Sequence, residues 1–385
     1  MPKYLSLSYF SHFLISNAVV FKLYLVIMTI SEDNLEELLN SPEEAARLAD
    51  LIYVTPSHLT IERKKHGRGF RYIHKGKSLQ GKRILKRIKN LVIPPAWQDV
   101  RIAEPPNGHI QAVGRDDKER KVYLYHETWN KMRNETKFFK LAAFANVLPQ
   151  IRKQVDKDLD AKEMTRRKVL ALVVRLMEET HIRVGNSCYA KRNKTYGLST
   201  LRTRHVQTTE SGLRFKFIGK KGKEHDIPIL DERLIALVNR CEEIPGWELF
   251  QFYDEEGNKD VVDSTMINDY IHELSGDMFS AKDFRTWGAT KIFFETLRDL
   301  EYPDAEKQKE KNLLTAYDAS AKGLGNTRTV CREYYVHPAI PESYMDGSIL
   351  PYFKKVNKAS RKKGEQLSQT EKVITEILAN YEVEI

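Results

Sequence analysis

Residues 324–338 read LGNTRTVCREYYVHP, and this stretch decides how the rest of the chain is read. A glycine-punctuated turn leads in. Asn326 or Thr327 can then cap a helix, which must stop before Pro338 because His337 is disfavoured from helical geometry. Tyr334 and Tyr335 fall in its last turn. Adjacent helical positions point about 100° apart, so one tyrosine can face a ligand while the other packs. Residue chemistry alone leaves the choice between them open. Three cations lie upstream in distinctive settings: Arg183 in HIRVGN (181–186), Lys220 in FIGKKGK (217–223) and Arg285 in AKDFRTW (281–287). A tyrosine with two arginines and a lysine suits attack on a phosphodiester without a metal. The phenolate is the nucleophile, the guanidiniums balance charge growing on phosphate, and the lysine protonates the departing oxygen.

Each cation also has a plainer reading. Arg183 follows a long helical pattern and precedes Gly185 and Asn186, a helix-stop signal; it could merely answer the helix dipole. Lys220 sits at a hairpin tip between Gly219 and Gly222, where solvated lysines are common, and Lys221 and Lys223 compete for its role. Arg285 lies in the first turns of a helix opened by Ser280, a position suited to holding phosphate. Its plainer reading is a surface ion pair with Asp283 or Asp277. Lys282 shares its face.

Outward from this set, 385 residues suffice for two domains with separate cores. Lys and Arg number 63 against 53 Asp and Glu, and the pI of about 9.2 suits a polyanionic partner. Scattered solvated lysines would give the same sum. Cys188, Cys241 and Cys331 stand far apart, so a reducing compartment is expected, with no structural zinc. GKS at 76–78 has Arg71 where a phosphate-binding loop needs glycine, so no nucleotide cofactor is expected.

Residues 1–27 are apolar but interrupted by His12, Asn17 and Lys22, which suits neither a membrane span nor a signal peptide. We read them as an extension ahead of a native start at Met28, with Ser31 capping an acidic helix. Segments 50–54, 69–74, 91–93, 98–103 and 109–113 are short and β-rich, broken by Pro and Gly, with a helix near 81–90 between them. That pattern predicts a small antiparallel sheet crowded by basic residues, as in IERKKHGRGFRYIHKGK (61–77). From about 127 the pattern is helical. Residues 165–182 place Val169, Leu172, Val173, Leu176 and Met177 on one face. LRFKFIG and GKEHDIPI form a β-hairpin, and 230–244 and the segment after Ser280 are further helices. A basic run at 354–363 precedes a last helix face of Ile374, Ile377, Leu378 and Tyr381. The class is α+β: a β-rich unit over 28–126, a mainly helical one over 127–353, and a tail over 354–385.

From about residue 40 to 345 the chain resembles the bacterial and poxvirus-type DNA topoisomerases IB. The resemblance is carried by GRGFRYI (67–73), IPPAW (93–97), GRDDKERKVYLYH (114–126), HIRVGN, YGLSTLRTRHV (196–206), FIGKKGKEH (217–225), AKDFRTW and AKGLGNTRTVCREYYVHPAI (321–340). It implies a C-shaped clamp of two domains around duplex DNA, acting as a monomer in the bacterial cytoplasm. In that register Tyr335 is the nucleophile, Arg183 and Arg285 hold the phosphate, and Lys220 is the general acid. Asn326 stands where viral members carry histidine and can still donate one hydrogen bond. Tyr123 and Tyr189 match DNA-contacting tyrosines, and Lys282 and Lys223 are expected to touch DNA as well. The chain departs from the pattern at Val122, where a base-contacting glutamine is usual, at Arg328 and Thr329 in place of Pro-Ala, and at Tyr334 in place of a small residue. A tyrosine recombinase would use similar chemistry but usually carries histidine where this chain has Lys282. A non-enzymatic DNA binder would explain the charge but not four catalytic residue types in register.

Overall fold

A computed structural model of the chain describes residues 41–210, 212–357 and 365–381. The expected extension 1–27, the Ser31 cap and much of the basic run lie outside the described residues. The chain forms two units, divided in sequence between Lys137 and Phe138.

The first unit begins with helix α1 (Pro42–Leu48), whose cap Ser41 accepts from the Glu44 N–H. A six-stranded antiparallel sheet follows, in spatial order β3-β2-β1-β4-β5-β6. Its strands are β1 (Ile61–His66), β2 (Gly69–His74), β3 (Lys77–Ser78), β4 (Gln98–Ile102), β5 (Ile110–Arg115) and β6 (Lys121–Tyr125). Helix α2 (Lys82–Asn90) contributes Ile84 and Ile88 to a cluster with Ile61, Val100, Ile102, Ala112 and Leu124 from one face of the sheet. Several β assignments differ from expectation: residues 50–54 form no strand but only an isolated bridge from Ile52 to Gly108, and β3 falls outside the expected segments. β1 reads as a solvated basic run because only Ile61 and Arg63 turn inward. Arg63 earns its burial by donating to the carbonyls of Ile93, Pro94 and Trp97, which fixes the IPPAW loop. β6 completes the sheet where no strand is expected. Conversely, 91–93 is no strand. Val92 stands at φ 47°, a left-handed turn, before two prolines that cannot donate to a ladder.

The second unit is mostly helical. The long helix α3 (Glu127–Leu159) runs into it, followed by α4 (Arg166–Thr180), which is buried along Val169, Leu172, Val173, Leu176 and Met177 as its period predicts. α4 ends earlier than Gly185 and Asn186 suggest. His181 takes the left-handed cap at φ 54°, and Asn186 instead opens the next helix, α5 (Ser187–Asn193), by accepting from Cys188 and Tyr189 N–H. A three-stranded sheet, β7 (Val206–Thr209), β8 (Gly212–Ile218) and β9 (Glu224–Ile229), includes the expected hairpin. Beyond it come α6 (Glu232–Glu242), the small hairpin β10 (Gln251–Tyr253) and β11 (Lys259–Val261), and α7 (Ser264–Ser275). Then follow α8 (Ala281–Asp299), α9 (Glu306–Leu324), α10 (Arg328–Tyr334), α11 (Ala339–Asp346), α12 (Leu350–Asn357) and α13 (Gln369–Ala379).

The last helix belongs to the core. Val373, Ile374, Ile377 and Leu378 of α13 are buried. Its Glu371 accepts from Arg152 of α3 at 2.6 Å and from the indole N–H of Trp287 on α8 at 3.2 Å. Burial alone would raise the Glu371 pKa, but Arg152 and Lys291 hold it down to about 2. Breaking a buried pair of this kind costs about 3–5 kcal/mol. Trp287, two residues from Arg285, is therefore anchored from the C-terminal helix. Among the described residues no helix is long and apolar enough to cross a membrane.

Candidate active site

Two helix ends and two loops of the second unit converge on Arg285. Ser280 opens α8 with Asp283 accepting from its N–H at 2.8 Å, and Lys140 pairs with the same carboxylate at 3.3 Å. Asp283 is thus occupied, and Asp277 lies beside His272 at 3.8 Å. Arg285 makes no ion pair with either. It is 4% exposed and donates to the carbonyl of His181 and, at 2.9 Å, to that of Leu324. Both carbonyls end helices, α4 and α9, so Arg285 serves the unmet acceptors of two helix termini. Burial and the neighbouring Arg183 lower its pKa to about 10, and it stays charged near neutrality.

Tyr335 faces this cation. Thr327 caps α10 by accepting from the Val330 N–H, and the helix stops at Tyr334 as Pro338 requires. The Tyr335 carbonyl lies 3.3 Å from the Thr290 hydroxyl of α8, which also accepts from the His337 N–H at 3.2 Å. These contacts fix the chain so that the Tyr335 ring lies 5.5 Å from the Arg285 guanidinium carbon. Burial would raise the phenol pKa, but Arg285, Arg183 and Lys282 outweigh it, and the net value is below the ordinary one. Tyr334 is 46% exposed.

Gly325 ends α9 in left-handed geometry at φ +61°, and the chain turns directly into Asn326. The Asn326 side-chain oxygen accepts from Arg183. Arg183 lies in the loop between α4 and α5, where Leu198 N–H binds its carbonyl at 2.9 Å. This contact leaves the Asn326 amide N–H group aimed away from Arg183. Both the Asn326 Nδ2 and the Arg285 Nε are buried and make no hydrogen bond of ordinary geometry among the described residues, with the Cys331 thiol beside the amide and the Tyr335 phenol beside the guanidinium. Buried, poorly paired donors are costly, and two beside a tyrosine and two arginines fit an anionic ligand.

Lys220 is not drawn into this cluster. It begins an exposed turn, Lys220–Gly222, at the tip of the β8–β9 hairpin. It has no hydrogen bond or ion pair among the described residues. Lys221 takes φ 64°, and Lys223 is exposed beside it. Lys282 is exposed at the start of α8, and Tyr189 is 51% exposed on α5. In the first unit, Tyr123 is 40% exposed on the sheet face turned away from α2. Lys121 lies 5.3 Å above its ring and Tyr125 stacks 5.9 Å away. Arg71, Lys64 and Arg101 occupy the same face by strand register.

The sequence reading passed over four residues. Tyr125 lies two positions from Tyr123 on β6, a strand the sequence pattern did not predict. His181 supplies the carbonyl that fixes Arg285, yet its spacing gives no sign of that. Cys331 is buried one helical turn before Tyr335, and burial pushes its thiol up to about 11. His225 approaches Gly325 across the fold. No local pattern marks these last three.

Residues 126–375 match the family model described as the catalytic core of eukaryotic DNA topoisomerase I, and residues 69–116 match that of the N-terminal domain of bacterial DNA topoisomerase IB. The chain is 33% identical over 269 residues to DNA topoisomerase 1B of Acanthamoeba polyphaga mimivirus, an alignment covering 68% of this chain and 80% of that protein. It is 22% identical over 240 residues to DNA topoisomerase I of Monkeypox virus, covering 62% and 73%. It is 24% identical over 271 residues to DNA topoisomerase 1 of Rabbit fibroma virus, covering 67% and 80%.

Proposed function

The chain belongs to the type IB DNA topoisomerases, and from that premise we propose that it relaxes supercoiled duplex DNA through a transient 3′-phosphotyrosyl link. The observation that carries the chemistry is the placement of the Tyr335 ring against Arg285, with Arg183 and Asn326 joined beside it. Tyr335 Oη attacks phosphorus and gives up its proton to solvent water as it does so, the neighbouring arginines favouring the phenolate. The P–O5′ bond breaks, and Lys220 supplies a proton to the leaving oxygen. Arg183, Arg285 and the Asn326 amide balance charge on the pentavalent phosphorus. The free strand swivels about the intact one, and its 5′-hydroxyl then reverses the reaction. The ester keeps the bond energy, so the cycle needs no nucleotide or metal.

In this reading residues 28–126 grip the duplex with Tyr123 and its basic neighbours and 127–353 hold the chemistry, while the expected division at 353 gives way to a terminal helix packed into that same core. Tyr189, Lys282 and Lys223 contact the DNA backbone nearer the chemistry. The protein acts as a monomer at the nucleoid in the bacterial cytoplasm, a placement supported by the match of residues 69–116. The test is supercoiled plasmid with chelator and without ATP. Relaxed topoisomers are expected; plasmid that is bound but left supercoiled would mean a recombinase or a plain DNA binder.

Asn326→Ala is expected to slow cleavage by about 10²–10³, the usual effect of a lost transition-state donor. Asn326→His should keep substantial activity, since its ring N–H can replace the amide donor. Single-turnover cleavage of a short duplex measures both, and undiminished cleavage by the alanine variant would remove Asn326 from the site.

A further inference from the structure

Lys220 stands on an exposed turn, and its hairpin needs a register against the segment carrying Asn326 and Tyr335. We propose that the ring of His225 sets that register, as a positioning residue wedged between Gly219 and Gly325. A Cβ added to Gly219 would lie 2.6 Å from the ring's Cδ2 and Nε2, and one added to Gly325 would lie 2.5 Å from its Cε1. Gly219 immediately precedes Lys220, and Gly325 immediately precedes Asn326. The ring thus fills the gap between the backbones of two segments assigned to the chemistry. Its flat face stacks on Phe217 of β8, with centroids 4.8 Å apart and planes 10° apart. Phe217 is itself 7% exposed in the core, so the stack ties the wedge to fixed structure.

The ring works by shape and not by charge. It makes no hydrogen bond among the described residues. Burial, then Arg183, Lys223 and Arg285, push its pKa down to about 4, so it adds no cation to the site near neutrality. The tip itself is held by two backbone bonds, Gly219 N–H to the Lys223 carbonyl at 2.7 Å and Gly222 N–H to the Gly219 carbonyl at 3.1 Å. Both lie within the turn and do nothing to place it against Gly325. Misplacing a catalytic group by about 1 Å can cost about 10²-fold in rate.

The inference rests on Lys220 being the general acid, and one experiment separates the two. Two duplexes are cleaved under single-turnover conditions, one ordinary and one with sulfur replacing the bridging 5′-oxygen at the same step. The sulfur leaving group needs no acid. His225→Ala is expected to cleave the ordinary duplex about 10²-fold more slowly and the sulfur duplex near the wild-type rate. Gly219→Ala, which crowds the ring from the hairpin side, should give the same sulfur-relieved defect. His225→Phe keeps a flat ring and should cleave both duplexes well. Lys220→Ala runs alongside. If sulfur does not relieve Lys220→Ala, the assignment of the acid fails. If sulfur relieves Lys220→Ala but neither His225→Ala nor Gly219→Ala, the wedge is overturned. Normal cleavage of the ordinary duplex by His225→Ala also overturns it. Should His225→Ala no longer bind duplex, Gly219→Ala decides by the same comparison.

Discussion

Tyr335→Phe is expected to bind duplex DNA as the native chain does and to relax none of it. The substitution removes one oxygen and leaves the ring, so the packing against Arg285, 5.5 Å away, is retained. Removing a nucleophile from an enzyme whose other groups remain costs roughly 10⁴–10⁶ in rate. Plasmid relaxation should fall below detection, and no protein should remain on DNA after denaturant quenches the reaction. Tyr334→Phe should relax plasmid normally. Tyr334 is 46% exposed, whereas the ring of Tyr335 lies against the buried Arg285 guanidinium. Residue chemistry alone left the two positions equivalent and the family resemblance chose Tyr335, so exchanged phenotypes would shift the register by one. The lowered pKa of Tyr335 supports the same assignment, because the cations that depress it favour the phenolate needed for attack.

Lys220→Ala should cleave ordinary DNA about 10²–10⁴-fold more slowly, the usual loss for a proton donor. Its work is to protonate the 5′-oxygen, a poor leaving group. With sulfur at the bridging position the departing thiolate, of pKa near 8.5 by analogy with cysteine, leaves without help. The variant should then approach the wild-type rate. Arg183→Ala and Arg285→Ala should stay impaired on both duplexes, since charge on the phosphorus remains unbalanced. Loss of Arg285 also frees the carbonyls of His181 and Leu324. Lys221→Ala and Lys223→Ala should show little defect on either. A Lys220 defect that sulfur leaves untouched would make this lysine a DNA contact and send the search for the acid to the arginines or Lys282.

Much of the fold was legible because it depends on neighbours in sequence. Ser280 with Asp283, Thr327, Pro338 and the Gly219 and Gly222 pair set element ends through their own backbone chemistry. The helical stripe of α4 follows from its period. Legibility failed where a segment's faces carry mixed signals. IERKKH buries only Ile61 and Arg63, and Arg63 can go inside only because carbonyls some 30 residues away receive it. Val92 breaks a β-rich run because the prolines after it cannot pair.

The sequence by itself determined the residue types, their order and the elements that carry them: two arginines, a lysine, an asparagine and a tyrosine pair, each at a helix end or a hairpin tip. Local periodicity and capping are short-range, so they survive in a one-dimensional reading. Only the tertiary structure decided which tyrosine faces a cation, that Arg285 is buried and not a surface ion pair, and which way the Asn326 amide points. It also brought His225 between Gly219 and Gly325. Those outcomes depend on desolvation and on charges distant in sequence, such as Arg183 and Asn326, which are 143 positions apart. Burial and Coulomb interactions act through space, and no spacing along the chain encodes them.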